Sequence, residues 1–165
     1  MTSDLQAKIA AAWRLYLGVP YYFGGESRSG IDCSGLIRCG WTELGVWPFD
    51  NEATEKVQDR DATADMIWRS CVRIPWEERE PGDAVCYGKP ERATHVVGVL
   101  SRDELIGANG GRPPQPEESP EEYREAMRVA GARVKITPST YRAFDRLGVV
   151  RSPLVAVTLV RPTFI

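Results

Sequence analysis

The amino-acid sequence predicts an α+β fold in which N-terminal helices pack on an antiparallel β-sheet. Three observations carry this expectation. Helix-start signals and apolar residues at helical spacing dominate residues 3–69. From Pro81 onward, short β-branched runs alternate with turn residues. No repeat, low-complexity tract or linker divides the 165 residues, a length that one core can organise. The expected organisation is therefore a single domain over residues 1–165, helices first and mostly strands after.

The elements follow in order. Ser3 and Gln6 form a capping-box pattern, and Leu5, Ile9, Trp13, Tyr16 and Leu17 recur at helical spacing. They predict a helix from Asp4 to Leu17, stopped by Gly18 and Pro20. Val19 to Ile31, with Gly24, Gly25 and Gly30, reads as a tight irregular loop. Asp32 is placed to cap a helix from Cys33 to Leu44, closed by Gly45, whose core face is Leu36, Ile37, Gly40, Trp41 and Leu44. Residues 46–60 are polar and read as loop, and Asp61 to Arg69 as a short helix carrying Met66, Ile67 and Trp68. Pro81-Gly82 turns the chain into the sheet, with strands Asp83–Tyr87, Thr94–Leu100 and Glu104–Ala108. Ser101-Arg102-Asp103 is short enough to join the last two as a hairpin. Gly110 to Pro116 is a Gly/Pro-rich loop, and Ser119-Pro120-Glu121-Glu122 begins a helix reaching Val129. Strands near Arg133–Ile136 and Leu154–Val160 complete the expected sheet.

Composition removes several function classes. With a net charge of -2 and no basic stripe, the chain offers nothing to nucleic acid. No apolar run approaches the roughly 18 residues of a membrane span. Met1-Thr2-Ser3-Asp4-Leu5-Gln6 lacks the pattern of a secretory signal, so synthesis in the cytoplasm is expected. Four cysteines (33, 39, 71 and 86) are too few and too irregular for a disulfide framework. With a single histidine and unclustered thiols, neither a metal site nor a cofactor is expected. Cys39 and Cys86, among apolar neighbours, read as small buried hydrophobes. Only Cys33 has the flanks of a reactive thiol.

Those flanks matter because an ordinary thiol, with a pKa of about 8.5, is mostly protonated at neutral pH. Unpaired N–H groups at a helix start favour the thiolate, and an imidazolium partner stabilises it further. Cys33 follows the Asp32 cap directly, and the lone histidine lies in the strand-like Thr94-His95-Val96-Val97-Gly98-Val99. A thiol at a helix start with an imidazole on a strand supplies the two parts of thiolate catalysis. The same helix N–H groups can stabilise the oxyanion formed by attack on a carbonyl.

Four blocks in order then carry a resemblance. They are Gly18-Val19-Pro20-Tyr21-Tyr22-Phe23-Gly24-Gly25, Asp32-Cys33-Ser34-Gly35-Leu36, Pro81-Gly82-Asp83-Ala84-Val85 and Thr94-His95-Val96-Val97-Gly98-Val99. Together they resemble the NlpC/P60 family of cysteine peptidases, over roughly residues 5 to 110. The resemblance implies a papain-like core, with Cys33 as nucleophile and His95 as general base and later acid. It implies that Tyr21 faces the active site and assists the oxyanion hole; a packed aromatic with a bonded hydroxyl is the other reading. Asp32 and Ser34 match positions that contact the stem peptide in relatives, although for Asp32 the cap role is equally adequate. The family's third residue, which orients the histidine, aligns with Gly107, which has no side chain. Residues 105, 107 and 109 share one strand face, so Asn109 is the expected substitute, directly or through water. A turn asparagine before Gly110-Gly111 is the alternative.

The function so implied is hydrolysis of an amide in peptidoglycan stem peptides, at the γ-D-glutamyl bond to the diamino acid, through a thioester. The expected partner is the stem peptide. The setting would be the cell wall, reached from a phage virion, as a lysin or tail component, or by non-classical export with an immunity protein as companion. Two other readings stand beside it: a non-catalytic phage tail assembly protein, and a thiol acyltransferase. Residues 119–165 are expected to complete the fold and shape the cleft.

Overall fold

The computed structural model describes residues 3–49, 60–141 and 145–160, and the side chains of all but 60–62 and 157–160 among them. Helix α1 (Asp4–Arg14) begins at the expected capping box, where the Ser3 side chain accepts from Gln6 N–H and the Gln6 side chain answers. It ends one turn earlier than the periodicity suggests. Within the glycine-rich loop, β1 (Glu26–Ser27) and β2 (Gly30–Ile31) form a small antiparallel pair. Helix α2 (Cys33–Glu43) starts at Asp32, which accepts from Gly35 N–H at 2.8 Å. Helix α3 (Arg60–Ser70) follows, then the short strand β3 (Val72–Ile74). The loop expected over 46–60 falls largely on residues 50–59, outside the described residues.

The sheet comprises β3, β4 (Ala84–Lys89), β5 (Arg92–Val99), β6 (Glu104–Asn109), β7 (Arg133–Pro138) and β8 (Arg146–Arg151). Its strand order is β3-β8-β4-β5-β6-β7, antiparallel throughout. Helix α4 (Pro120–Val129), capped by Ser119 with Pro120 in its first turn, precedes β7. The expected α+β class, helices with an antiparallel sheet, is what the chain adopts.

One expected strand is not there. Leu154–Val160 lies in a helix, α5 (Pro153–Val160), and the sheet is completed instead by β8, just upstream. The run is rich in β-branched residues, which favours a strand reading. Ser152 overrides that preference: its hydroxyl accepts from Leu154 N–H at 3.3 Å, its carbonyl from Ala156 N–H at 3.0 Å, and Pro153 has no N–H to lose. The strands β3 and β8 were not expected from sequence.

The sheet buries both faces. On one, Ala84, Cys86, Val96, Ile106, Ala108, Val134 and Val150 join the side chains of α1 and α2. Trp13 wedges between α2 and β5, where a Cβ on Gly40 would come within 2.3 Å of its indole and one on Gly98 within 2.5 Å. Trp41 of α2 donates to the Gly82 carbonyl at 3.0 Å, fixing the helix against the turn that opens β4. On the other face, Val85, Tyr87, Val97, Val99, Leu105 and Val149 cluster beneath Ile74, Trp76 and Tyr141. Asp83, fully buried, holds β8 through a bidentate pair with Arg151 at 2.7 and 2.8 Å. No helix among the described residues is long and apolar enough to cross a membrane.

Candidate active site

The start of α2 is built by Asp32. Its carboxylate accepts from Gly35 N–H and, at 3.1 Å, from Gly24 N–H, so one buried side chain caps the helix and ties it to the Gly24-Gly25 loop. The Ser34 hydroxyl, also buried, points back to the same carboxylate at 3.5 Å. The loop lies so close that a Cβ on Gly35 would sit 2.3 Å from the Gly25 carbonyl oxygen. Asp32 and Ser34 thus shape the first turn, and Cys33 is held at its head with 6% of its surface exposed.

Tyr21 reaches this turn through the backbone. It forms a parallel bridge with Ile31, two residues before Cys33, while its own N–H donates to the Ala132 carbonyl at 3.0 Å. Its buried ring packs on Gly111, where a Cβ would lie 2.0 Å from the ring. The loop after β6 therefore closes directly over this aromatic.

His95 lies on β5, 7% exposed, and its Nε2 is 3.0 Å from Asn109 Oδ1. The β5–β6 register pairs Gly98 with Ile106 and Val99 with Leu105; carried on, it sets His95 opposite Asn109. Gly107 makes this contact feasible. A Cβ there would stand 2.5 Å from Val97 Cγ1 and 2.7 Å from Asn109 Oδ1, so the bare position is the space the amide occupies. An amide oxygen at Nε2 calls for the proton on that nitrogen and leaves Nδ1 with its lone pair. Burial pulls the His95 pKa down to about 4, with the Asn109 bond opposing, so the imidazole is neutral at pH 7.

Two tyrosines that sequence reasoning missed border the histidine. Tyr87, its register partner on β4, has its ring centroid 5.9 Å away, and Tyr141 lies at 6.3 Å. The two pack edge to face at 5.8 Å, and the Tyr87 hydroxyl donates to the Tyr141 carbonyl at 3.2 Å. Burial, with the nearby charge of Cys33 adding to it, pushes the Tyr141 hydroxyl up to about 12. Tyr141 thus borders the surroundings of both Cys33 and His95. Strand pairing could have found Tyr87; Tyr141 arrives from a connection after β7, with no local signal.

The other three thiols differ in setting. Cys86 is fully buried and Cys71 nearly so, and burial raises both, Cys71 to about 12. Cys39 is half-buried, not enclosed as expected, because its Sγ turns outward to the Glu26 carbonyl at 3.3 Å. Burial raises it as well. Among the described residues no three His, Cys, Asp or Glu side chains converge as metal ligands.

Comparison with known proteins bears on this geometry. The model of the NlpC/P60 family matches residues 18–127, which include Tyr21, Cys33, His95 and Asn109. The NlpC/p60 domain of the peptidoglycan hydrolase SagA superposes with a TM-score of 0.57 at 26% identity, over 88% of this chain and 97% of that domain. An NlpC/P60 family protein from Bacillus cereus gives 0.62 at 18% identity over 92% of this chain, which spans 41% of that protein. RipD of Mycobacterium tuberculosis, a non-catalytic NlpC/p60 domain protein adapted to peptidoglycan binding, gives 0.59 at 15%, over 90% of this chain and 98% of that one. The last two likenesses speak to fold alone. No curated protein matches the chain.

Proposed function

The chain belongs to the NlpC/P60 family, whose fold it shares with a peptidoglycan hydrolase, and on that premise we propose that it is a cysteine endopeptidase of peptidoglycan stem peptides. The bond proposed for cleavage is the γ-D-glutamyl amide to the diamino acid, and the 165 residues are read as one catalytic unit.

The observation that carries this reading is the buried His95–Asn109 pair, on the hairpin whose β5 strand packs against the helix that Cys33 opens. A scaffold protein has no need of a neutral imidazole held by an amide at a space cleared by glycine. In the proposed reaction, His95 Nδ1 takes the thiol proton as Cys33 Sγ bonds to the scissile carbonyl carbon. N–H groups at the head of α2 and the Tyr21 hydroxyl donate to the oxyanion. As the tetrahedral species collapses, the C–N bond breaks and His95 returns its proton to the leaving amine, leaving a thioester on Cys33. Water, deprotonated by the same imidazole, then releases the acid and restores the thiol. Asn109 keeps the ring turned so that Nδ1 serves in both directions.

Incubation with purified sacculi, followed by mass analysis of released fragments, tests this. New free amino groups on the diamino acid, lost in Cys33→Ala and His95→Ala, are expected. Intact sacculi, with Cys33 still open to alkylation, would favour a binding role of the RipD kind. Products carrying an added amine in place of water would favour acyl transfer.

A further inference from the structure

A cavity of about 320 Å³ opens beside Tyr21, walled by Pro20, Tyr21, Arg124, Arg128, Gly131 and Arg133 among others, with no carboxylate in its lining. Arg128 is neutralised by Glu125, with nitrogen–oxygen distances of 2.6 and 2.9 Å. Arg124 stacks over the Tyr22 ring at 4.5 Å, and neither it nor Arg133 has a carboxylate partner among the described residues. Helix α4 ends at Val129, so its negative end accounts for Arg128 in the last turn. It does not account for Arg133, which stands on β7. Two guanidinium groups without carboxylate partners line one cavity, which favours an anion there.

The cavity is joined to the candidate active site. Arg133 pairs with Asn109 across β6–β7 and bridges Pro20, and Tyr21 supplies wall to the cavity while its backbone bridges Ile31. Arg128 and Arg133 lie beyond the residues that the family model matches.

We propose that this cavity binds a carboxylate of the substrate peptide, gripped by Arg124 and Arg133, on the far side of Tyr21 from the scissile bond. The proposal rests on the peptidase reading above and adds to it a charge requirement on the substrate.

Binding to the full chain carrying Cys33→Ala tests it by calorimetry, with a γ-D-glutamyl–diamino acid stem peptide in two forms, carboxylates free or converted to carboxamides. The free acid is expected to bind about tenfold tighter at low salt, with the advantage shrinking as salt rises. Adding Arg124→Gln and Arg133→Gln should erase the preference. In the otherwise wild-type enzyme the same two substitutions should raise KM for the free acid while kcat stays within about twofold. Equal binding of the two forms, or a preference that survives both substitutions, overturns the proposal. If the chain neither cleaves nor binds any stem peptide, the peptidase reading fails by itself, and acetate then probes the cavity. Saturable shifts of the Arg124 and Arg133 Nε–H resonances keep the carboxylate site, and their absence overturns it.

Discussion

His95 is the chain's only histidine, which makes its burial measurable as a pH dependence of stability. In the unfolded chain its pKa is the ordinary 6.5; in the fold, burial lowers it to about 4. Between these values the unfolded state binds more protons, so stability falls as pH falls. The sign is that of a depressed pKa: the full contribution is present above 6.5 and is lost on descending to 4. At 1.36 kcal/mol per unit, the loss amounts to about 3 kcal/mol. The assay is urea unfolding of wild type and His95→Gln at intervals from pH 7.5 to 4, taking the difference in unfolding free energy at each pH. Carboxylates titrating in the same range cancel in that difference. The wild type should lose about 3 kcal/mol relative to the variant over the interval. A difference constant within about 0.5 kcal/mol refutes the reasoning, because it would mean that the imidazole is as well solvated folded as unfolded. The mechanism's base would survive, because an imidazole of ordinary pKa is still mostly neutral at pH 7.

Other perturbations test separate parts of the account. Asn109→Ala should lower kcat about a hundredfold, with KM little changed, because the imidazole loses its orienting bond; hydrolysis of a stem peptide reads this. Gly107→Val should act like Asn109→Ala, since its Cβ alone would fall 2.7 Å from Asn109 Oδ1, whereas combining the two should cost little more than either. Asp83→Ala strands Arg151 against the sheet and should destabilise by about 3–5 kcal/mol in urea melts. Tyr123→Phe removes the hydroxyl that accepts from Phe23 N–H and donates to the Arg112 carbonyl, and should cost about 1–3 kcal/mol in the same assay.

Much of the arrangement was legible in the chain because local chemistry decided it. Ser3, Asp32 and Ser119 cap the helices that their side chains announce, each by accepting from an N–H three residues on. The turn at Ser101-Arg102-Asp103 fixes the β5–β6 hairpin, and a hairpin centred on Arg102 sets His95 and Asn109 opposite each other. Asn109 could be singled out from the sequence because residues 105, 107 and 109 share one strand face, although the family pattern aligns with Gly107. What escaped depends on distant partners. Strand β8 pairs with β3 and β4, about sixty to eighty residues earlier, and Arg151 reads as a surface charge until Asp83 is found beneath it. The Leu154–Val160 run carries a strand-like composition, which the Ser152-Pro153 start turns into a helix. Tyr141 and the arginine-lined cavity reach the site through tertiary packing that no spacing rule encodes.

The central claim is that the sulfur of Cys33 attacks an amide with His95 as its base. Acid quench of the enzyme during turnover of a stem peptide, followed by peptide mapping by mass spectrometry, tests it most directly. An acyl adduct on the Cys33 peptide, strongly reduced in His95→Gln and never present on Cys39, Cys71 or Cys86, is the predicted result. Product formation that continues in Cys33→Ala, or an adduct on another cysteine, would contradict it.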